Sequence, residues 1–86
     1  MMKRHEPSAL GIAAEALGEA EENLVGLPAS EEVRDFQRRW FALRTVVHGV
    51  VIERVPTITP AQESTLMERA VSFAKEVAAA RRRLRT

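Results

Sequence analysis

Apolar residues recur at intervals of three and four along three stretches of this chain, and the densest stretch lies in its middle. Val33, Phe36, Trp40, Leu43, Val47 and Val50 follow one another at the spacing of a single helix face. A second line, Phe41, Thr45 or Val46, His48, Ile52 and Val55, runs beside it, so this element is expected to be buried from two sides. Its start is well marked. Ser30 can accept a bond from an orphan backbone amide, and Glu31 and Glu32 sit at the positive end of the helix dipole. The far half is ambiguous, because Thr45, Val46, Val47, Val50, Val51, Ile52 and Val55 are β-branched and Gly49 interrupts them, a composition that suits a strand as well. The unbroken spacing favours a helix over about 30–55, with any bend at Gly49 and a stop at Pro56.

The flanking patterns predict two further helices. Over about 8–26, Leu10, Ala13, Leu17, Ala20 and Leu24 repeat along a narrow, alanine-rich seam, which continues in spacing to Leu27. Ser8 is the expected N-cap, Gly26 the left-handed residue past the end, and Pro28 the block to continuation. Gly11 and Gly18 each weaken this helix by about 1 kcal/mol relative to alanine, so it needs a neighbour. Over about 59–84, Thr59, Pro60 and Gln62 form a capping-box start, and Leu66, Ala70, Phe73, Val77, Ala80 and Leu84 share a face. Met67, Val71, Ala74 and Ala78 flank that face, and the Arg81 to Thr86 tail is expected to fray. Residues 1–7 are expected to be disordered.

These elements define an all-α fold in a single small domain spanning residues 1–86. The expected arrangement is an antiparallel hairpin of the second and third helices with the N-terminal helix packed across it. Eighty-six residues with no cysteine make a small core without a disulfide to support it. Additional burial is expected from a second copy, through the second helix and part of the third. The apolar residues expected to dominate such contacts are Phe36, Trp40, Phe41, Leu43 and Val47, with Trp40 as the anchor.

Charge changes this picture. The formal net charge is only +1, yet Glu6, Glu15, Glu19, Glu21, Glu22, Glu31 and Glu32 occupy the first part of the chain with no Lys or Arg among them. Arginine dominates from Arg34 onward. Either the acidic and basic helices pair within the fold, with Arg34, Arg38 and Arg44 as the expected partners of Glu15, Glu19 and Glu22, or one block faces another molecule and steers it. Arg81, Arg82, Arg83 and Arg85 form the best nucleic-acid signal, with Arg38, Arg39 and Trp40 as a possible second patch. Cations at a helix C-terminus also complement its dipole.

Catalytic and metal chemistry find little support. His5 and His48 lie in no ligand-spaced motif, and no reactive thiol, Ser/His/Asp set or glycine-rich phosphate loop is present. His48 reads as a packed or partly exposed residue, with a pH-sensitive contact as its alternative role. No cofactor is implied. No apolar run approaches the ~20 residues that span a bilayer, and no secretory leader is recognised, so a cytoplasmic protein is expected. The expected function is therefore a non-enzymatic regulatory or adaptor role through helix-mediated protein–protein interaction, of the inhibitor, antitoxin or chaperone type. The alternatives are a nucleic-acid-binding regulator using the C-terminal arginines and, third, a small-molecule enzyme with an arginine-lined site at a dimer interface. No basic residue lies between Arg4 and Arg34, so the first helix offers such a site no arginine.

Overall fold

The computed structural model describes residues 8–53 and 57–84. The expectations placed on residues 1–7, on the 54–55 end of the second helix and on Arg85 lie outside the described residues. Three α-helices, α1 (Ala9–Leu24), α2 (Glu31–His48) and α3 (Pro60–Leu84), account for most of the chain, and a π-helical turn, Gly49–Glu53, prolongs α2. No strand occurs among the described residues.

Local chemistry explains each boundary. The Ser8 hydroxyl accepts from the Gly11 amide at 2.9 Å, and the Ser30 hydroxyl accepts from the Val33 amide at 3.1 Å. At the start of α3 the capping box is reciprocal: the Gln62 amide donates to Thr59 Oγ1 at 3.2 Å, and the Thr59 amide donates to Gln62 Oε1 at 2.8 Å. Beyond α1, Gly26 adopts φ 84°, the left-handed conformation in which glycine avoids the Cβ penalty.

The ambiguous β-branched run is helical as far as Glu53, but its last part is wound wider than an α-helix. The Thr45 hydroxyl donates to the Phe41 carbonyl at 2.8 Å, a local bond that bends helices. One turn later the Gly49 amide is shared between the Thr45 and Val46 carbonyls, and the π-helical turn begins there. The sequence expectation of a change at Gly49 thus takes the form of a widened turn rather than a strand.

The core is assembled mainly by α1 and α3. Ala13, Ala16, Leu17, Ala20 and Leu24 from α1 meet Leu66, Ala70, Phe73, Val77 and Ala80 from α3 in one cluster, to which α2 contributes Phe36 and Val47. The closest pair is α1 and α3, which run close together, whereas the backbones of α2 and α3 approach closely at few points. Side-chain size is the reason. The alanine seam of α1 lets the backbone of α3 come near, while Phe36, Trp40 and Leu43 hold α2 farther out. A seam that reads as thin in sequence is therefore the tightest contact of the fold.

Candidate functional site

The two lines of apolar residues on α2 have different fates. Phe36 and Val47 are buried in the core, and Trp40 and Leu43 pack against it half-buried. The Trp40 indole Nε1 donates to the Leu17 carbonyl at 2.8 Å, fastening α2 to the middle of α1. Phe36 meets Phe73 edge to face, with ring centroids 6.0 Å apart and planes at 64°. The Arg39 guanidinium lies 5.6 Å from the Phe36 centroid and 5.1 Å from that of Phe73, and its Nη2 pairs with Glu76 at 2.8 Å. Four of the five apolar residues singled out in sequence thus serve the fold itself.

Phe41 is the exception, at 62% exposure. Seven and eleven positions on, His48 and Ile52 continue its line along the outer side of α2 and the π-helical turn; Ile52 is 64% exposed and Val51 is exposed beside it. Val51 and Ile52 were not among the expected contact residues. The second apolar line, Phe41, His48 and Ile52, was the signal that could have found Ile52.

Next to this ridge lies an open groove of about 270 Å³ between α1 and α2. Leu17, Trp40, Val47, Val51 and Ile52 give it apolar walls, Ala14 and Gly18 form the α1 margin, and Glu21, Arg44 and His48 supply its polar groups. A Cβ built on Gly18 would meet no atom within 4 Å, so this margin is low and unobstructed. The Arg44 guanidinium lies 5.7 Å from the centroid of the Trp40 ring, which places a cation at the α2 edge.

The charged candidates separate in the same way. Glu15, Glu19 and Glu22 are exposed and make no side-chain ion pair among the described residues; the expected partners Arg34, Arg38 and Arg44 do not reach them. Glu15 and Glu19 instead flank a shallow furrow with Lys75 of α3. The ion pairs that join elements link α2 to α3: Arg39 with Glu76, and Arg83 with Glu32 at 2.6 Å. The hydrogen bond from Arg83 is the main cause that holds the Glu32 carboxyl below the usual carboxylate range, with a smaller opposing effect of desolvation and a further lowering by the Arg83 charge. The same bond raises the pKa of Arg83.

Arg81 has a different task. Its Nη1 lies 3.4, 3.1 and 3.3 Å from the carbonyls of Glu22, Asn23 and Val25, where α1 ends and its last acceptors lack helical donors. Of the three described C-terminal arginines, Arg81 caps α1, Arg83 holds Glu32, and Arg82 is exposed with no hydrogen bond or ion pair to another described residue. No group of three or more His, Cys, Asp or Glu able to hold a metal occurs among the described residues, and no helix there is long and apolar enough to cross a membrane. No protein-family model matches the chain, and the comparisons with curated proteins and with solved structures find no match.

Proposed function

We propose that this protein is a small non-enzymatic regulatory or adaptor protein that works by binding another polypeptide on the outer face of α1, α2 and the π-helical turn. The observation that carries the reading is the ridge of Phe41, Val51 and Ile52 beside a groove with predominantly apolar walls, on a chain whose other large apolar side chains mostly turn inward. Large apolar side chains left exposed beside a groove often mark a macromolecular contact. Its geometry suits an amphipathic helix that lays an apolar stripe between α1 and α2. The bundle would present this face with α2 antiparallel to α3, an arrangement supported by the pairing of Glu32 with Arg83 and of Arg39 with Glu76. The exposed Glu15, Glu19 and Glu22 would add rate and orientation to the encounter with a basic partner.

A polypeptide is favoured over nucleic acid because Arg81 and Arg83 already have partners within the chain, which leaves Arg82 alone of the described cluster to meet a phosphate. Affinity capture from extract with the wild type, Phe41→Glu and Arg82→Ala separates the two. The proposal expects a recovered protein that is lost with Phe41→Glu and retained with Arg82→Ala. Recovery of nucleic acid that is lost with Arg82→Ala, and weakened steeply by added salt, would refute it.

A further inference from the structure

The end of α1 carries carboxylates where its own electrostatics disfavour them. Glu21 and Glu22 lie in the last turn, at the negative end of the helix dipole, and that turn holds no cation. Both are exposed, and neither makes a side-chain ion pair among the described residues. Arg81, which reaches this end from α3, is engaged by the carbonyls of Glu22, Asn23 and Val25 rather than by a carboxylate. Arg44, on the α2 side, stacks on the Trp40 ring and does not pair with Glu21. Glu21 at the same time lines the apolar groove between α1 and α2. The unrelieved negative charge thus stands at the site already read as a docking face.

Three contacts fix where along the groove this charge falls. Arg81 holds the end of α1 and Arg83 holds Glu32 near the start of α2, so both lie at the C-terminal end of α3. From there Trp40 bonds to the Leu17 carbonyl, one turn before Glu21, and Val51 and Ile52 follow about three turns beyond Trp40. The groove therefore has a carboxylate end at Glu21 and an apolar end at the π-helical turn. From this order we infer that its occupant is a basic amphipathic helix of another protein. Its apolar stripe lies against Trp40, Val51 and Ile52, and Lys or Arg side chains at one end of that stripe reach Glu21 and Glu22. The inference rests on the reading of this face as a polypeptide-docking surface. Partner cations supply the positive charge that the last turn of α1 lacks, and they speed and orient the encounter. The same carboxylates repel a helix with acidic flanks, which gives the site its selectivity.

Trp40 is the only tryptophan of the chain and lines the groove, so its fluorescence reports occupancy directly. The probes are two synthetic helical peptides without tryptophan that share one leucine stripe, the first flanked by lysines and the second by glutamates. The lysine peptide should shift the Trp40 emission saturably and bind the full chain several-fold more tightly than the glutamate peptide. Phe41→Ala should weaken it several-fold without changing charge. Glu21→Lys combined with Glu22→Lys should abolish or reverse the preference, whereas Glu19→Lys, on the furrow beside α3, should leave it in place. Helical circular dichroism of each variant confirms that the fold is kept. A glutamate peptide that binds as tightly as the lysine peptide would overturn the inference, as would binding of neither peptide. Equal effects of the Glu19 and Glu21 changes would also overturn it, by showing a diffuse attraction to α1. Light scattering that gives twice the chain mass for the wild type and the single-chain mass for Phe41→Ala would assign the groove to a second copy, with the same consequence. None of these results removes the broader docking reading, which fails separately if Phe41→Glu captures the same proteins as the wild type.

Discussion

The Trp40 indole donates to the Leu17 carbonyl across the α1–α2 boundary at 2.8 Å. The largest side chain on α2 is thereby fixed in one orientation, with one face toward the core and its edge on the groove. Replacing Trp40 with phenylalanine keeps most of the apolar bulk and removes the donor. This change should destabilise the fold by about 1 kcal/mol, the usual net worth of one such bond. Urea unfolding followed by circular dichroism measures it. Trp40→Ala should cost more, about 3 kcal/mol, because a cavity is added to the lost bond.

Phe36 and Phe41 are five positions apart on one helix and should respond in opposite ways. Phe36 is 7% exposed and packs edge to face on Phe73, so Phe36→Ala should lower stability by about 3 kcal/mol. Phe41 lies in the open, and Phe41→Ala should change stability by no more than about 0.5 kcal/mol. Denaturant midpoints of the two variants measured side by side check the contrast. Equal losses would show that Phe41 is also part of the core.

Arg81 holds the end of α1 from the far end of α3. Arg81→Ala should free the carbonyls of Glu22, Asn23 and Val25 and lower stability by about 1.5 kcal/mol, the range of a charge-assisted bond. Arg82→Ala, beside it, should be neutral. Hydrogen exchange offers the sharper readout. Amides in the last turn of α1 should lose protection in Arg81→Ala and keep it in Arg82→Ala.

The Glu32–Arg83 pair gives a pH dependence with a defined sign. Because the folded-state pKa of Glu32 is depressed, its contribution is present above the ordinary carboxylate pKa and is lost as pH falls through the folded value. The loss should therefore fall below the ordinary glutamate range. Both side chains are exposed, so the effect is small and weakens with salt. Melting curves of the wild type and Glu32→Gln between neutral and acid pH should converge at the acid end.

Helix boundaries were the most legible part of the sequence, because caps are local chemistry. Ser8, Ser30, and Thr59 with Gln62 each announce a start that needs no knowledge of the rest of the fold. Helix pairing was less legible. Alanine in α1 weakens the apolar signal of a face and, for the same reason, permits the closest approach in three dimensions, so Ala13, Ala16 and Ala20 look minor in sequence and dominate the α1–α3 contact. The candidate surface was half legible. The Trp40 line and the Phe41 line were both visible, but which one faces inward depends on where α1 sits, and sequence periodicity carries no information on that. The split of the arginine cluster into a cap, an ion pair and an exposed residue was likewise hidden, since Arg81 and Arg83 find partners 51 to 59 positions away.

The central claim is that the open ridge at Phe41 is where this protein meets another polypeptide. Site-specific photo-crosslinking in living cells tests it most directly, with a benzophenone side chain placed at position 41, at position 36 or at position 82 of the full chain. The account predicts a discrete crosslinked polypeptide species from position 41, little or none from the buried position 36, and no nucleic-acid adduct from position 82. Absence of any polypeptide adduct at 41, together with a nucleic-acid adduct at 82, would contradict it.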